Sequence, residues 1–174
     1  MISSRTSSLR SEAFLWLLVL FLGLKAESSP IFDALKGQVG GDFHYKHYND
    51  EGQVLWLIGG ENPTFGADMK VTIQKPRLVI VQASGNALLT SKLATYDTTK
   101  RSCTLTGNVR VKNFSDASFE GDDLSVRLDD RSLNFSSPFE ARQGPLSLKA
   151  QEGRYFSEGQ RFQTEGKTQV EYLP

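Results

Sequence analysis

The sequence predicts an all-β fold of antiparallel hairpins for the body of this 174-residue chain. From Asp42 onward, apolar and polar residues alternate almost everywhere, which is the period of a β-strand. Apolar residues do not recur at the three- and four-residue spacing of an amphipathic helix over any long window. Turn-prone segments separate the alternating runs at a nearly constant interval, as expected for a chain built from repeated hairpins.

The first 26 residues differ in composition from the rest and are predicted to act as a leader. Arg5 and Arg10 lie in a Ser-rich opening, and an apolar run follows at 13–24. As a helix this run would span about 18 Å, which is short of the ~30 Å hydrocarbon core of a bilayer. That length favours a cleaved secretory signal, and Ala26 suits the position before a cut. An uncleaved membrane anchor is the alternative, and either form of the leader exports the body of the protein.

A linker and a single β domain are predicted after the leader. Residues 27–41 contain Pro30 and three glycines with little periodicity, which is typical of a linker. Residues 42–174 are then predicted to form one domain, which suits a chain of this length.

The first hairpin of the domain is predicted at 42–60, in the segment DFHYKHYNDEGQVLWLIGG, with its turn at Asn49–Gly52. The second strand of this hairpin, 54–58, is apolar on both faces and should be deeply covered. The segment MKVTIQKPRLVIVQ at 69–82 predicts another pair of strands, interrupted near Pro76.

The clearest alternation surrounds the segment LTGNVRV at 105–111. Four apolar residues share one parity there, and they are Cys103, Leu105, Val109 and Val111. The same split recurs at Leu124, Val126 and Leu128; at Leu133, Phe135 and Phe139; at Leu146, Leu148 and Ala150; and at Phe162, Thr164, Thr168, Val170 and Tyr172. Because successive side chains of a strand point to opposite faces, each strand would carry one apolar face and one wet face.

Turn signals lie between these strands and define a degenerate repeat. They are NDEG (49–52), DTTKR (97–101), LDDRS (128–132) and SEGQ (157–160). The apolar residues that precede the last three turns are Tyr96, Val126 and Tyr155, and those that follow are Cys103, Leu133 and Phe162. The following residues lie 30 and 29 positions apart (133 − 103 and 162 − 133), so each repeat is expected to be one hairpin.

Composition and motifs give little support for catalysis, metal binding or nucleic-acid binding. The chain has 20 basic and 20 acidic residues, so no single-sign field would attract nucleic acid. His44 and His47 would lie on opposite faces of a strand and could not share a metal ion. The lone Cys103 cannot form an internal disulfide and is expected to be buried. Acidic pairs at 120–123 and 129–130 lack the spacing of a calcium loop. We therefore predict a protein that is not an enzyme and needs no cofactor or metal.

The segment LATYDTTKRSCTLTGNVRV at 93–111 resembles the repeat of the OstA-like family of lipopolysaccharide-export proteins. LSVRLDDRSLNFSSPFEA at 124–141 and EGRYFSEGQRFQTEGKTQV at 152–170 are weaker copies of the same pattern. The hairpin YNDEGQVLWLIGG at 48–60 and the basic-apolar leader are similar to the LptC-type members of this family. A soluble bridge of the LptA type is the alternative within the family, because the apolar run is short for an anchor.

The resemblance implies an open, V-shaped antiparallel β-jellyroll, preceded by the N-terminal hydrophobic helix of the leader. In that family the jellyroll interior receives the acyl chains of lipid A. The implied location is the periplasm, with residues 13–24 as a candidate anchor to the inner membrane. The implied partners are lipopolysaccharide, other jellyroll components that pair through edge strands, and an inner-membrane ABC transporter. Nucleic acid is not expected as a partner.

The candidate lipid-binding residues are the apolar ones that would face the interior of the jellyroll. They are Leu105, Val109, Val111, Leu124, Val126, Phe135, Phe139 and Leu148. The same residues would form an ordinary core in a structural β-repeat protein that assembles a scaffold without transporting lipid. Alternation alone predicts the shared apolar side, and the width of the interior decides between the two alternatives.

Overall fold

Eleven antiparallel strands form a single sheet in the computed structural model, which describes residues 42–83, 85–114, 116–156 and 161–172. The strands are β1 (Phe43–Tyr48), β2 (Val54–Phe65), β3 (Lys70–Ile80), β4 (Ala87–Thr90), β5 (Leu93–Asp97), β6 (Ser102–Phe114), β7 (Ala117–Arg127), β8 (Ser132–Phe135), β9 (Phe139–Gln143), β10 (Leu146–Phe156) and β11 (Arg161–Tyr172). The predicted all-β fold is therefore confirmed. The predicted leader, linker and N-terminal helix within 1–41, and the turn at 157–160, lie outside the described residues.

The predicted first hairpin is present as β1 and β2. The side chain of Asn49 closes its turn by accepting hydrogen bonds from the backbone N–H groups of Glu51 at 3.1 Å and Gln53 at 2.8 Å. The prediction that 54–58 is deeply covered on both faces is wrong for one face. Trp56 and Ile58 are buried, whereas Leu57 on the other face is only half-buried, because none of the described strands forms a second layer over the outside of the sheet.

The segment around Pro76 forms one strand, β3, and not the predicted interrupted pair. Gly59 pairs with Arg77 and Glu61 with Gln74, so β3 holds an extra residue at Lys75–Pro76. Lys75 has a φ of 45° and donates its N–H to the carbonyl of Lys92 at 2.9 Å, away from the β2 ladder. Pro76 has no N–H to pair, so the bulge accommodates it and the strand bends without ending.

The sheet has two parts, which we call the first and second arms. β5 and β8 belong to the first arm, and β4 and β9 belong to the second. The long strands β3, β6, β7 and β10 run through both arms and pair with a different short strand in each. The run through Leu133, Phe135 and Phe139, predicted as one alternating segment, is therefore two strands in different arms.

Each arm carries a row of apolar residues that pair directly across the sheet. The row of the first arm is Phe65, Val71, Tyr96, Cys103, Val126, Leu133, Tyr155 and Phe162. The row of the second arm is Tyr45, Ile58, Leu78, Leu89, Val111, Phe119, Ala141, Leu148 and Val170. The predicted 30-residue repeat is thus confirmed as a geometric one, since the residues that flank its three turns are partners in the first row.

The sheet folds back on itself so that the two rows face each other. Val71 and Ile80 would lie about 30 Å apart on a straight β3, at ~3.3 Å per residue. Trp56 pairs with Ile80, and Tyr96 pairs with Val71. The rings of Trp56 and Tyr96 nevertheless have centroids 5.3 Å apart, so the arms enclose an interior lined by both rows.

Left-handed residues allow the long strands to bend between the arms. On β6, Gly107 has a φ of 78° and Asn108 a φ of 52°, and the register with β7 shifts between Thr106 and Val109. On β11, Gly166 has a φ of 76°, opposite the register shift of β10. Glycine and asparagine tolerate this conformation best, so the residue types at these positions favour a bend.

Candidate functional site

The structure brings the predicted lipid-binding residues together in the interior between the arms. Seven of the eight are buried, with exposed fractions of 4% or less, and they are Leu105, Val109, Val111, Leu124, Val126, Phe135 and Phe139. Leu148 is half-buried and packs against the same core. The interior is therefore one continuous apolar compartment to which both arms contribute.

Aromatic rings fill the interior at the end near β11. We call Phe114, Phe119, Phe135, Phe139, Tyr155 and Phe162 the C-terminal aromatic cluster. The ring of Phe119, on the second arm, lies 5.3 Å from that of Tyr155 and 5.6 Å from that of Phe162, both on the first arm. Phe135 and Phe139 stack with centroids 4.3 Å apart. These contacts hold the arms together, and the described interior is packed with side chains.

Sequence reasoning missed the centre of this cluster, Phe119. Its strand, β7, begins with Ala117, Phe119 and Gly121, which alternate with outward polar residues. The alternation was a usable signal, but the acidic residues at 120–123 interrupt the apolar pattern of this strand. The pairs of Phe119 with Val111 and Ala141 fix it on the inward side.

A second group of rings fills the interior beside β1, and we call Tyr45, Trp56 and Tyr96 the N-terminal aromatic cluster. The centroid of Tyr45 lies 5.4 Å from that of Trp56 and 6.4 Å from that of Tyr96. The ring of His47 stacks on the ring of Trp56 with centroids 5.1 Å apart, and His47 is half-buried. His44 is exposed on the opposite face, as predicted from their separation of three positions.

The interior has the electrostatic character of an apolar medium. Burial raises the pKa of the Cys103 thiol to about 12. Burial also raises the pKa of Tyr96, whose hydroxyl is buried without a hydrogen-bond partner among the described residues. Ionised or strongly polar groups are therefore disfavoured there, whereas hydrocarbon is not.

The apolar side of β11 is exposed where β11 reaches the second arm. Val170 is 61% exposed and Tyr172 is 70% exposed, and Leu146 on β10 is 49% exposed. Beside them lies a cavity of about 100 Å³, and its lining residues are Ala141, Arg142, Gln143, Leu146, Leu148, Phe162 and Val170. The interior thus has an exposed apolar border at this end of the sheet, which we call the apolar mouth.

Two edges of the sheet lack a neighbouring strand within the described residues. β1 pairs with β2 alone, and β11 pairs with β10 alone. Their outer backbone groups are available for pairing with another strand. The described residues contain no group of three or more His, Cys, Asp or Glu side chains that could hold a metal ion.

Comparison with known proteins agrees with this geometry. The family model described as "Lipopolysaccharide-assembly, LptC-related" matches residues 33–173. The fold is similar to the crystal structure of LptH from Pseudomonas aeruginosa, described as the LptA-homologous periplasmic component of the lipopolysaccharide transport device. That similarity has a TM-score of 0.54 at 12% sequence identity, and it covers 68% of this chain and 95% of LptH. A comparison with curated protein sequences finds no match.

The family match spans the whole described sheet, from β1 to β11. The likeness to LptH adds that the described sheet resembles the jellyroll fold of that protein. The chain belongs to the LptC-related family of lipopolysaccharide-assembly proteins.

Proposed function

We propose that this protein is a periplasmic component of lipopolysaccharide transport that holds acyl chains between its two arms and passes them to a neighbouring jellyroll. The observation that carries the proposal is the pair of inward apolar rows. The row of the second arm runs from Tyr45 on β1 to Val170 on β11, so it joins one free edge of the sheet to the other.

The energetics of acyl chains explain why such an interior is needed. Exposing a ~12-carbon chain to water costs on the order of 10 kcal/mol, at ~0.8 kcal/mol per methylene group. A lipid with several such chains cannot cross an aqueous compartment freely. An apolar interior replaces one oily environment with another, so transfer between similar interiors is nearly neutral in free energy. Direction then comes from an energy source elsewhere, for which we propose an inner-membrane ABC transporter.

Lipid entry requires the rings of the two aromatic clusters to move out of the space between the arms. The candidate lining residues are Leu105, Val109, Val111, Leu124, Val126, Phe135, Phe139 and Leu148. Rings now occupy the space between them, with Phe119 in contact with the opposite arm. In the proposed mechanism the arms part, the rings turn aside, and acyl chains take over their contacts with these residues.

Transfer along a bridge of jellyrolls is proposed to use the free edges of β1 and β11. An edge strand that adds to another sheet gains main-chain hydrogen bonds, a mode of binding known as β-augmentation. The apolar mouth at Val170 lies beside the β11 edge. Stacking through this edge would join the interiors of successive components.

The leader is proposed to decide where the domain is held. If residues 1–26 are removed, the domain is a soluble bridge, and if they remain, residues 13–24 anchor it to the inner membrane through the linker 27–41. The mass of the mature protein distinguishes the two forms, because cleavage removes about 26 residues, as is typical of a secretory signal.

Photo-crosslinking tests the proposed transport role. A photoreactive residue is placed at Leu105 or Phe139, and at exposed Arg110 as the control. The two interior positions should label lipopolysaccharide in a membrane preparation, and position 110 should not. Equal labelling at all three positions would contradict the proposal and favour a structural scaffold with a permanently closed core.

A further inference from the structure

A charged rim borders the N-terminal aromatic cluster. Arg101, in the turn between β5 and β6, lies 3.6 Å from Asp129 in the turn between β7 and β8. Both side chains are about half exposed. Burial lowers the pKa of His47, and the nearby charge of Arg101 lowers it further, so this histidine is a neutral group at neutral pH. A cation and a neutral imidazole thus stand at the edge of the aromatic rings.

The hydroxyl of Tyr96 is the second feature of this region. Tyr96 is fully buried, and its hydroxyl has no hydrogen-bond partner among the described residues. Burying a hydroxyl without a hydrogen-bond partner costs free energy, and a phenylalanine at this position would avoid that cost. A ligand that accepts a hydrogen bond from Tyr96 would explain why the hydroxyl is present. Tyr96 pairs with Cys103 at the end of the β5–β6 hairpin, and Arg101 lies in the turn of that hairpin, so the buried donor and the exposed cation lie in the same region.

Two arginines of the hairpin turns, Arg101 and Arg131, occupy left-handed backbone positions. Arg101 has a φ of 48°, and Arg131 in the next hairpin has a φ of 51°. Glycine or asparagine would adopt this conformation with less strain than arginine. The ion pair of Arg101 with Asp129 does not explain the choice, because half-exposed pairs contribute little to stability.

We propose that Tyr45, His47, Trp56, Tyr96 and Arg101 form a binding site for the head-group end of an anionic acylated lipid. The acyl chain enters the interior against Trp56, and the Tyr96 hydroxyl donates a hydrogen bond to the oxygen at the root of the chain. Arg101 pairs with the anionic group just outside, sharing its donors with Asp129. The site rests on the proposed lipid-carrying function, and it gives the bound lipid an orientation at the β1 end.

Trp56 offers a direct readout of this site. The chain has two tryptophans, Trp16 and Trp56, so Trp16→Phe leaves Trp56 as the sole tryptophan, which can be excited selectively at wavelengths where tyrosine absorbs little. Dodecyl phosphate and dodecyl maltoside, below their micelle concentrations, share the tail and differ in head-group charge. Both should shift Trp56 emission, with dodecyl phosphate binding about tenfold tighter, as expected for one charge-assisted hydrogen bond. Inorganic phosphate alone should leave the emission unchanged.

Two substitutions test the assigned roles. Arg101→Gln should abolish the preference for dodecyl phosphate, whereas Arg110→Gln, on the exposed outer face, should leave it intact. Tyr96→Phe should weaken binding of both amphiphiles while leaving the urea midpoint of the free protein equal or higher. A purely structural role for the hydroxyl would instead lower the midpoint.

The outcomes separate this site from the transport proposal. If Arg101→Gln keeps the preference, or if neither amphiphile shifts Trp56 emission, the site is overturned. Labelling of lipopolysaccharide from Leu105 would still support transport in that case. If labelling from Leu105 fails while dodecyl phosphate still binds in an Arg101-dependent way, the transport proposal falls and the site stands.

Discussion

Cys103 shows how much the interior controls a single side chain. The sequence placed it on the apolar side of an alternating strand, and the structure confirms that it is fully buried. It pairs with Tyr96 on one side and Val126 on the other, both of which are buried. Its position could be predicted because parity alone fixes the face on which a strand residue lies. The environment of the Tyr96 hydroxyl could not be predicted, because alternation does not indicate whether a hydrogen-bond partner lies nearby.

Alkaline pH should destabilise the domain through Cys103. The thiol has a pKa of about 12 in the folded protein against 9.0 ordinarily, so the unfolded chain ionises first. The stabilising effect is fully present below pH 9 and is lost as pH rises toward 12. The free energy of unfolding should fall by up to ~1.4 kcal/mol per pH unit from this group. Urea unfolding between pH 8 and 11 measures the slope.

Cys103→Ala is the matched variant for this prediction. It should be less stable at every pH because of the cavity, yet its stability should fall less steeply with pH. The buried tyrosines remain in both proteins and contribute equally. Identical slopes would show that the thiol does not titrate as expected.

At the level of strands, alternation predicted most of the sheet and missed its bends. β6 and β11 were recognisable because their apolar residues keep one parity over many positions. β3 was wrongly predicted as two strands at Pro76, and β8 and β9 were wrongly predicted as one segment. Where a strand bends or changes arm depends on which distant strands pair with its two halves, and local alternation does not contain that information. Only some of the bends could be predicted from residue type. Gly107 and Asn108 favour left-handed backbone geometry, whereas Lys75 adopts it without favouring it.

Gly60 should be one of the least replaceable positions on β2. A Cβ there would lie 2.5 Å from Cγ2 of Ile73 and 2.6 Å from the carbonyl oxygen of Gln74. Gly60→Ala should therefore lower the free energy of unfolding by roughly 2–3 kcal/mol, within the range for overpacking. Chemical denaturation with a fluorescence readout measures the change.

Gly121→Ala provides the comparison for Gly60→Ala. Its nearest neighbour would be Cβ of Phe139 at 3.2 Å, a contact that a small shift can relieve. The loss should be about 1 kcal/mol, at the lower end of the overpacking range. A larger loss at Gly121 than at Gly60 would contradict the described packing of β2 against β3.

For the whole molecule, the fold class and family could be predicted, whereas the state of the interior could not. The eight candidate residues were found from parity, and they do share one compartment. The alternation of apolar residues is the same for a sealed core and for an open groove, however. The rings that fill the space include Phe119 and Tyr45, which the alternation did not single out. The degree of closure follows from contacts between arms that lie far apart in sequence.

The exposed apolar residues of β11 should matter for assembly and little for stability. Val170 and Tyr172 are 61% and 70% exposed, so Val170→Lys with Tyr172→Lys should change stability by no more than about 0.5 kcal/mol. The same pair of changes should reduce co-purification with a second jellyroll component, because it places charge at the proposed junction. Gln169→Lys, also exposed on β11, is the matched control and should assemble normally. Unchanged co-purification of the double variant would argue against the β11 junction.

The bends of the long strands would allow the arms to part for a lipid without unfolding the sheet. The ladders of the short strands β4, β5, β8 and β9 lie within one arm or the other, and the register shifts that interrupt the β6–β7 and β10–β11 ladders fall between the arms. Rotation about such a hinge changes a few backbone dihedrals and leaves interstrand hydrogen bonds intact. Uptake and release should therefore proceed without even partial unfolding, and the amides of β6 and β7 should stay protected from hydrogen exchange throughout the cycle.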